Sequence, residues 1–194
     1  MTLLARLDEA RERWNLLKHP FYARWSCGEL TRDDLAHYAG QYRHAVLALA
    51  ETARTAGAEH AREEAEHVAL WDDFAAGMGA VPSDPTAETA ECVSAWLAPE
   101  DPIGALAVLY AIEAGQPDVS QTKLDGLAEH YGVGVNEPAA AYFVVHAELD
   151  HEHAASSREL LSANNGNEDR LVALAEAALR GNWVLLDGVE ARTK

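Results

Sequence analysis

The stretch HAELDHEH, residues 146–153, places three histidines and three acids in eight positions of an otherwise alanine-rich chain. On an α-helix, positions i, i+4 and i+7 fall within about 60° of one another. His146, Asp150 and His153 have this spacing, so their side chains converge on one side of a helix. Imidazole nitrogen with carboxylate oxygen suits iron, manganese or zinc better than calcium or magnesium. The stretch predicts either a metal-binding helix face or, as the alternative, a solvated polar face.

Most of the chain has the same helical periodicity, interrupted by residues that end or start helices. Thr31 followed by Asp34 resembles a capping box, and Gly115-Gln116-Pro117 breaks the helical hydrogen-bond ladder. The predicted helices span about 3–17, 31–57, 59–78, 86–97, 103–114, 118–131, 138–162 and 169–187. No segment alternates apolar and polar residues as a half-buried strand does. We therefore expect an all-α fold, a single domain over 1–194 built as a bundle of seven or eight helices.

Composition excludes several classes of function. Fifteen Lys and Arg against 32 Asp and Glu give a net charge of −17, which repels phosphate backbones, so no nucleic-acid partner is expected. No apolar run reaches the roughly 20 residues of a membrane span, and the charged N-terminus lacks a signal-peptide core. Two cysteines, Cys27 and Cys92, are too few for a disulfide framework. The expected location is cytoplasmic, with no membrane association.

A second segment repeats the spacing of the opening stretch. In EHAREEAEHVALW, residues 59–71, His60, Glu64 and His67 occupy positions i, i+4 and i+7, again with an acid in the middle. Solvation of a charged surface does not readily explain two matching triplets. Glu113 adds a carboxylate within the apolar IGALAVLYAIEAG, where an ionised side chain is costly unless it is paired or binds a metal. Helix-bundle cores hold such carboxylate and histidine sets around two iron or manganese ions.

These motifs resemble the haem-oxygenase-like di-metal oxidases and oxygenases, over almost the whole chain. The resemblance is carried by LLKHPFYARWSCGELTRDDLAHYAGQY (16–42), HVALWDDFA (67–75), YAIEAGQPDVSQTKLDGL (110–127) and HAELDHEH. Within that group the chain is most similar to the CADD-like p-aminobenzoate synthases. Pyrroloquinoline quinone synthase and the TenA thiaminases are more distant relatives of the same fold. The resemblance implies a non-haem di-metal enzyme that activates O2 as co-substrate.

The resemblance also implies which residues bind the metals. Five positions match the family's ligand motif: His67, Glu113, His146, Asp150 and His153. The sixth position is open, because many relatives have a glutamate where this chain has His60, whereas others use the E-x2-H spacing that Glu64 satisfies. Glu64 ranks first, since a bridging carboxylate neutralises two cations better than an imidazole does. The expected metals are two iron ions, with manganese as the alternative.

Two further residues bear on the substrate. In CADD-like synthases a tyrosine of the enzyme itself provides the aromatic ring and a lysine is implicated as the amino donor; Tyr22 in HPFY and Lys123 match these positions. The relatives also have a tyrosine before the central glutamate, where this chain has Ile112. A core-anchoring tyrosine and an exposed helix lysine are the alternatives for Tyr22 and Lys123.

The expected partners follow from this chemistry. The reaction requires an external electron donor, and its organic reactant is either the chain's own tyrosine or a separate small molecule. We expect a homodimer. A cofactor-free or non-catalytic small-molecule-binding protein related to the quinone synthase or TenA group is the alternative from a different class.

Overall fold

The computed structural model describes residues 1–57, 61–163 and 166–192, which form nine α-helices, two short 3₁₀ segments and no strand. The α-helices are α1 (Leu3–Arg13), α2 (Pro20–Ser26), α3 (Arg32–Ala56), α4 (Ala61–Met78), α5 (Ala87–Trp96), α6 (Pro102–Glu113), α7 (Gln116–His130), α8 (Ala141–Ser162) and α9 (Glu168–Ala191). The 3₁₀ segments are Leu16–Lys18 and Pro138–Ala140. The all-α prediction is confirmed.

Each of the eight periodic segments contains one of the long helices, and α2 is an addition that the periodicity did not predict. This helix is short, and the HPFY motif starts it instead of forming a loop. The His19 side chain accepts the Phe21 backbone N–H, and Pro20 occupies the first turn, where its missing N–H costs nothing. The same local chemistry turns Tyr22 toward the core, where it is buried.

The helix boundaries that the sequence marked are present. The Thr31 hydroxyl accepts the Asp34 N–H and the Asp34 carboxylate accepts the Thr31 N–H, a complete capping box at the start of α3. Pro117 lies in the first turn of α7, so the helical ladder restarts there after α6. These two boundaries fix where the buried faces of α3 and α7 begin.

Helix α6 forms the centre of the bundle. Every residue from Gly104 to Glu113 is buried, as expected of a helix that is apolar around its full circumference. It contacts α3, α8 and α9 on different sides. Glu113, the last residue of α6, therefore lies in the interior and is shielded from solvent.

A close approach between α2 and α7 positions Tyr22 and Lys123, the two residues that match the tyrosine and lysine motifs. A Cβ at Gly126 would lie 2.5 Å from Trp25 Nε1, so only glycine lets the edge of the indole approach α7 this closely. Trp25 Nε1 donates to the backbone carbonyl of Lys123 at 3.3 Å. Tyr22 on α2 and Lys123 on α7 are thereby held on facing helices. In the part of the chain that the structure describes, no helix is both long enough and apolar enough to cross a membrane.

Candidate metal centre and lysine chamber

Three helices bring the predicted carboxylates and histidines together inside the bundle. Helix α4 contributes Glu64 and His67, the end of α6 contributes Glu113, and α8 contributes the H-x3-D-x2-H motif. All six side chains are buried: Glu64, His67, Glu113, His146, Asp150 and His153. By contrast, Glu148 and His151, which lie on other faces of α8, are exposed.

Five of the six side chains form two overlapping groups. Ligand atoms of Glu64, His67 and His146 lie within 4.8 Å of one another, and those of Glu64, Glu113 and His153 satisfy the same limit. Glu64 belongs to both groups. A carboxylate has two oxygens and can bind one cation with each, so this position suits a residue that bridges two metals.

Individual distances show how tightly the groups converge. Glu64 Oε1 lies 3.4 Å from His67 Nδ1 and 3.8 Å from His153 Nδ1. His153 Nδ1 also lies 3.6 Å from Asp150 Oδ1. The imidazole rings of His67 and His146 are 4.6 Å apart between centroids. These atoms are close enough to share one or two ions without any change of helix position.

Hydrogen bonding orients His146 in a way that suits a metal ligand. Its Nδ1 donates to the Tyr142 carbonyl at 2.6 Å, which fixes the tautomer and leaves Nε2 with a free lone pair. Among the described residues, neither His146 Nε2 nor either oxygen of Asp150 has a hydrogen-bond partner, although all three atoms are buried. Buried polar atoms without partners are rare and costly. The donor set and these unpaired atoms fit a metal centre.

The pKa values of the α8 residues have different physical causes. Burial raises the pKa of Asp150 to about 7, with Glu113 and Glu64 adding repulsion. Burial lowers the pKa of His146 to about 4, so its imidazole is neutral at pH 7. The Asp150 carboxylate, whose Oδ1 lies 3.6 Å from the ring, raises the pKa of His153 to about 9. Bound cations would stabilise the deprotonated forms of all three side chains, which are the forms that bind metals.

Glu63 has a role that sequence reasoning missed. Its side chain is about half exposed, points about 100° away from Glu64 around the helix, and belongs to neither group of candidate metal-binding atoms. However, its Oε2 lies 3.4 Å from His153 Nε2, the ring nitrogen opposite the one nearest Asp150. A carboxylate on the second nitrogen of a metal-binding histidine fixes the ring and increases its basicity. The adjacency of Glu63 and Glu64 in the sequence was the signal that could have indicated this contact.

The other candidate ligand on this segment, His60, lies outside the residues that the structure describes.

Lys123 occupies a chamber of aromatic side chains beside the metal centre. It is 1% exposed, which excludes the alternative of an exposed helix lysine. Its Nζ lies 5.0–5.8 Å from the ring centroids of five residues: Tyr22, Tyr38, Tyr42, Trp71 and Phe143. Burial lowers the pKa of Lys123 to about 7, so a large fraction is an uncharged amine at neutral pH. We call these six residues the lysine chamber.

The lysine chamber adjoins the candidate metal ligands directly. Tyr142 stacks on His146 with ring centroids 3.9 Å apart and makes an edge contact with Trp71 at 4.9 Å. Tyr22 is buried in the chamber, and burial raises its phenolic pKa well above the usual range. Tyr22, Lys123 and the metal-binding side chains therefore surround one continuous part of the core. Tyr38 and Tyr42, expected to line the core or a cavity, belong to this chamber.

Comparison with known proteins agrees with the fold. Residues 31–187 match a family described as iron-containing redox enzymes. A 4-aminobenzoate synthase of Nitrosomonas europaea is 29% identical, with 97% of this chain and 91% of that protein aligned. A 4-aminobenzoate synthase of Chlamydia pneumoniae is 31% identical, with 93% and 88% aligned. A Shewanella denitrificans domain with a haem oxygenase-like fold superposes with a TM-score of 0.79 at 20% identity, covering 100% of this chain and 94% of that chain.

The match covers most of the chain, so this protein belongs to the family of iron-containing redox enzymes and is an oxidoreductase with a haem oxygenase-like fold. The predicted family and fold are confirmed, and iron is the metal that the family implies. Glu64, His67 and His146 form the first group of residues able to hold it, and Glu64, Glu113 and His153 form the second.

Proposed function

We propose that this protein is a di-iron 4-aminobenzoate synthase that makes its product from its own Tyr22, with nitrogen from Lys123. The observation that carries the proposal is the position of Lys123 Nζ, 5.8 Å from the centroid of the Tyr22 ring inside a buried chamber. Two relatives aligned over most of their length are named 4-aminobenzoate synthase, which supports the same activity here.

The proposed metal ligands are Glu64, His67, Glu113, His146, Asp150 and His153. When two iron ions are bound there, the centre supplies the reductive activation of O2, with electrons from an external donor. Glu64 is the proposed bridge, because its carboxylate is shared by both groups of metal-binding atoms. His60 remains an alternative ligand on this segment.

The carbon skeleton of the product defines what must happen to Tyr22. Because 4-aminobenzoate carries a single carbon on its ring, the Cα–Cβ bond of the tyrosine breaks, Cβ is oxidised by O2 to the carboxylate, and Cα keeps a hydrogen, which leaves glycine at position 22. Nitrogen replaces the phenol oxygen at the far end of the ring. The phenol oxygen leaves as water, and the Cε–Nζ bond of Lys123 breaks as Cε is oxidised to an aldehyde, again with O2 as the oxidant. The chamber excludes water from the ring, since Tyr22 and Lys123 are both buried.

The protonation state of Lys123 supports its role as the nitrogen source. An amine attacks carbon only through its unprotonated form, and an exposed lysine is almost wholly protonated at pH 7. With a pKa of about 7, Lys123 presents a substantial fraction of free amine. The rings around it stabilise the remaining cation through cation–π attraction, which keeps the side chain in the chamber in both forms.

Isotope labelling tests the proposal directly. Protein made with ring-¹³C tyrosine and ¹⁵N lysine is loaded anaerobically with Fe(II), then given O2 and a reductant with no aromatic additive. The expected product is 4-aminobenzoate carrying both labels, at no more than one molecule per chain, with a matching mass change in the Tyr22 peptide. Unlabelled product, or an intact Tyr22 peptide after full O2 consumption, would contradict the proposal.

A second candidate function is the oxidation of a separate small molecule at the same centre. It is favoured by Ile112, which replaces the tyrosine that relatives have before the central glutamate. Ile112 lines a cavity next to the chamber. In the labelling experiment this function would appear as O2 consumption and multiple turnovers only after an external substrate is added, with Tyr22 intact.

A further inference from the structure

A cavity lies between the 3₁₀ segment after α1 and the start of α7, outside the metal centre. Its volume is about 160 Å³, close to that of engineered cavities of roughly 150 Å³ that hold one benzene molecule. Apolar side chains form its walls: Trp14, Leu16, Leu17, Ala111, Ile112, Val119 and Leu179. In size and lining it suits a ligand with one six-membered ring.

The inner end of the cavity is polar. Gln116 and Asn182 line it and are both buried. Asn182 Nδ2 donates to the Tyr42 hydroxyl at 3.4 Å, whereas Asn182 Oδ1 has no hydrogen-bond partner among the described residues. An unpaired buried carbonyl oxygen costs about 1–3 kcal/mol. This end of the cavity therefore offers an acceptor to a ligand that carries an N–H donor.

The outer end of the cavity is charged, and Arg11 provides its cation. The Arg11 guanidinium donates to Asp8 Oδ1 at 3.2 Å and to the backbone carbonyl of Ala114 at 2.5 Å. Arg158 also pairs with Asp8 at 3.1 Å, so that carboxylate is shared and Arg11 is incompletely neutralised. Of the other rim acids, Glu12 pairs with Lys18, and Asp118 lies in the first turn of α7, where the helix dipole favours a negative charge.

The inner end of the cavity adjoins the lysine chamber. Tyr42, which accepts from Asn182, has its ring centroid 5.2 Å from Lys123 Nζ. Gln116, Ser120 and Lys123 are all buried on α7 at positions i, i+4 and i+7, so they form one polar column about 10 Å long. Through Gln116, which lines the cavity, this column connects the cavity wall to Lys123.

We propose that this cavity is a product-binding subsite for an amino-substituted aromatic acid, with the amine donating to Asn182 and the carboxylate facing Arg11. The inference rests on the proposed function for the identity of the ligand, 4-aminobenzoate. A para-substituted ring spans the cavity from its neutral acceptor end to its cationic rim. Asp118 at the rim repels the carboxylate, which keeps binding weak, as release of a product requires.

Binding is measured by calorimetry on the iron-loaded protein without O2, so that no turnover is needed. The probes are 4-aminobenzoate, aniline, which lacks the carboxylate, and benzoate, which lacks the amine. Asn182→Leu should weaken 4-aminobenzoate and aniline about fivefold or more, the effect of one lost hydrogen bond, and leave benzoate unchanged. Arg11→Met should weaken 4-aminobenzoate and benzoate by a similar factor and leave aniline unchanged.

The matched control is Gln121→Leu, which removes an exposed amide from the solvent face of α7 and should change no affinity. Comparison of the three probes within each variant separates a lost contact from a damaged fold. Where Asn182→Leu does not fold, Leu179→Phe, which fills the cavity, should abolish binding of all three probes. Absence of 4-aminobenzoate binding to the parent protein, or binding that Leu179→Phe leaves intact, would overturn the subsite. Neither result bears on the labelling experiment, in which the product forms from Tyr22.

Discussion

The amine of Lys123 lies 5.8 Å from the centre of the Tyr22 ring, in a chamber that excludes solvent from both side chains. The two residues are 101 positions apart and meet because Gly126 admits Trp25 against α7, which docks α2 on that helix. Because the chamber lies beside the candidate metal centre, both proposed reactants are close to the place where O2 would be activated.

Replacement of Lys123 by methionine should increase the free energy of unfolding and remove the proposed nitrogen source. Between its folded pKa of about 7 and its ordinary value of 10.5, the unfolded chain binds more protons at this residue than the folded chain does. The free energy of unfolding of the parent protein should therefore rise with pH across that window. Lys123→Met should lack this rise and be more stable at pH 7 by about 2–4 kcal/mol.

Chemical denaturation at several pH values measures this effect. Lys18→Met removes an exposed lysine and should change stability by less than about 0.5 kcal/mol. Equal pH slopes for the parent and Lys123→Met proteins would show that Lys123 is not desolvated.

Metal stoichiometry tests the bridging position of Glu64. Anaerobic Fe(II) loading should reach about two equivalents in the parent protein, because the donor set exceeds what one open iron site needs. Glu64→Ala should impair both sites, whereas His146→Ala should impair one. We also expect Glu64→Ala to weaken Fe(II) binding more than His60→Ala does. The exposed Glu66→Ala, on the same helix, is the control. Parent protein that binds less than about half an equivalent would contradict the di-metal centre.

The Glu63 contact predicts a smaller effect on the same measurement. Glu63→Gln keeps the shape of the side chain but removes the charge that lies 3.4 Å from His153 Nε2. Loss of such a partner usually lowers metal affinity about 10–100-fold. Fe(II) titration against a competing chelator should show a decrease at the lower end of that range. An affinity equal to that of Glu66→Gln would mean that the contact does not orient His153.

Tyr22→Phe isolates the phenol from the packing of the ring. The variant should bind iron and unfold like the parent protein, because the ring volume is unchanged, yet release no 4-aminobenzoate. Product is measured by chromatography after Fe(II), O2 and reductant are added. Tyr131→Phe, which removes a hydroxyl that donates to the Trp25 carbonyl outside the chamber, should still make product. Product from Tyr22→Phe at the parent yield would place the ring source elsewhere.

The approach of α2 to α7 can be tested without touching the reactants. Gly126→Ala should destabilise the protein by about 1–3 kcal/mol, because its Cβ would displace the Trp25 indole. Gly40→Ala, in the interior of α3 with 3.6 Å to its nearest neighbour, should stabilise by about 0.5–1 kcal/mol. Thermal unfolding compares the two. A neutral Gly126→Ala would show that α2 can shift at no cost.

The sequence by itself determined the elements and the residue types of this site. Helical periodicity requires only local spacing, so the H-x3-D-x2-H triplet on α8 and the capping box of α3 could be found before any contact was known. The carboxylate at Glu113 was identifiable because an acid in an apolar helix has few explanations. The short helix α2 was missed, since seven residues give too few turns for periodicity to register.

The tertiary structure alone decided which distant groups meet. Nothing local to α4 shows that Glu64 belongs to two groups of metal-binding atoms, because the second group is completed by residues on α6 and α8. The burial of Lys123, and therefore its pKa, depends on rings from α2, α3, α4 and α8. The cavity lined by Leu16 and Leu17 likewise depends on tertiary packing, because it is the space left between α1 with its following 3₁₀ segment, α6, α7 and α9. Proximity between residues far apart in the chain is set by tertiary packing, and the local spacing of residues in the sequence carries no information about it.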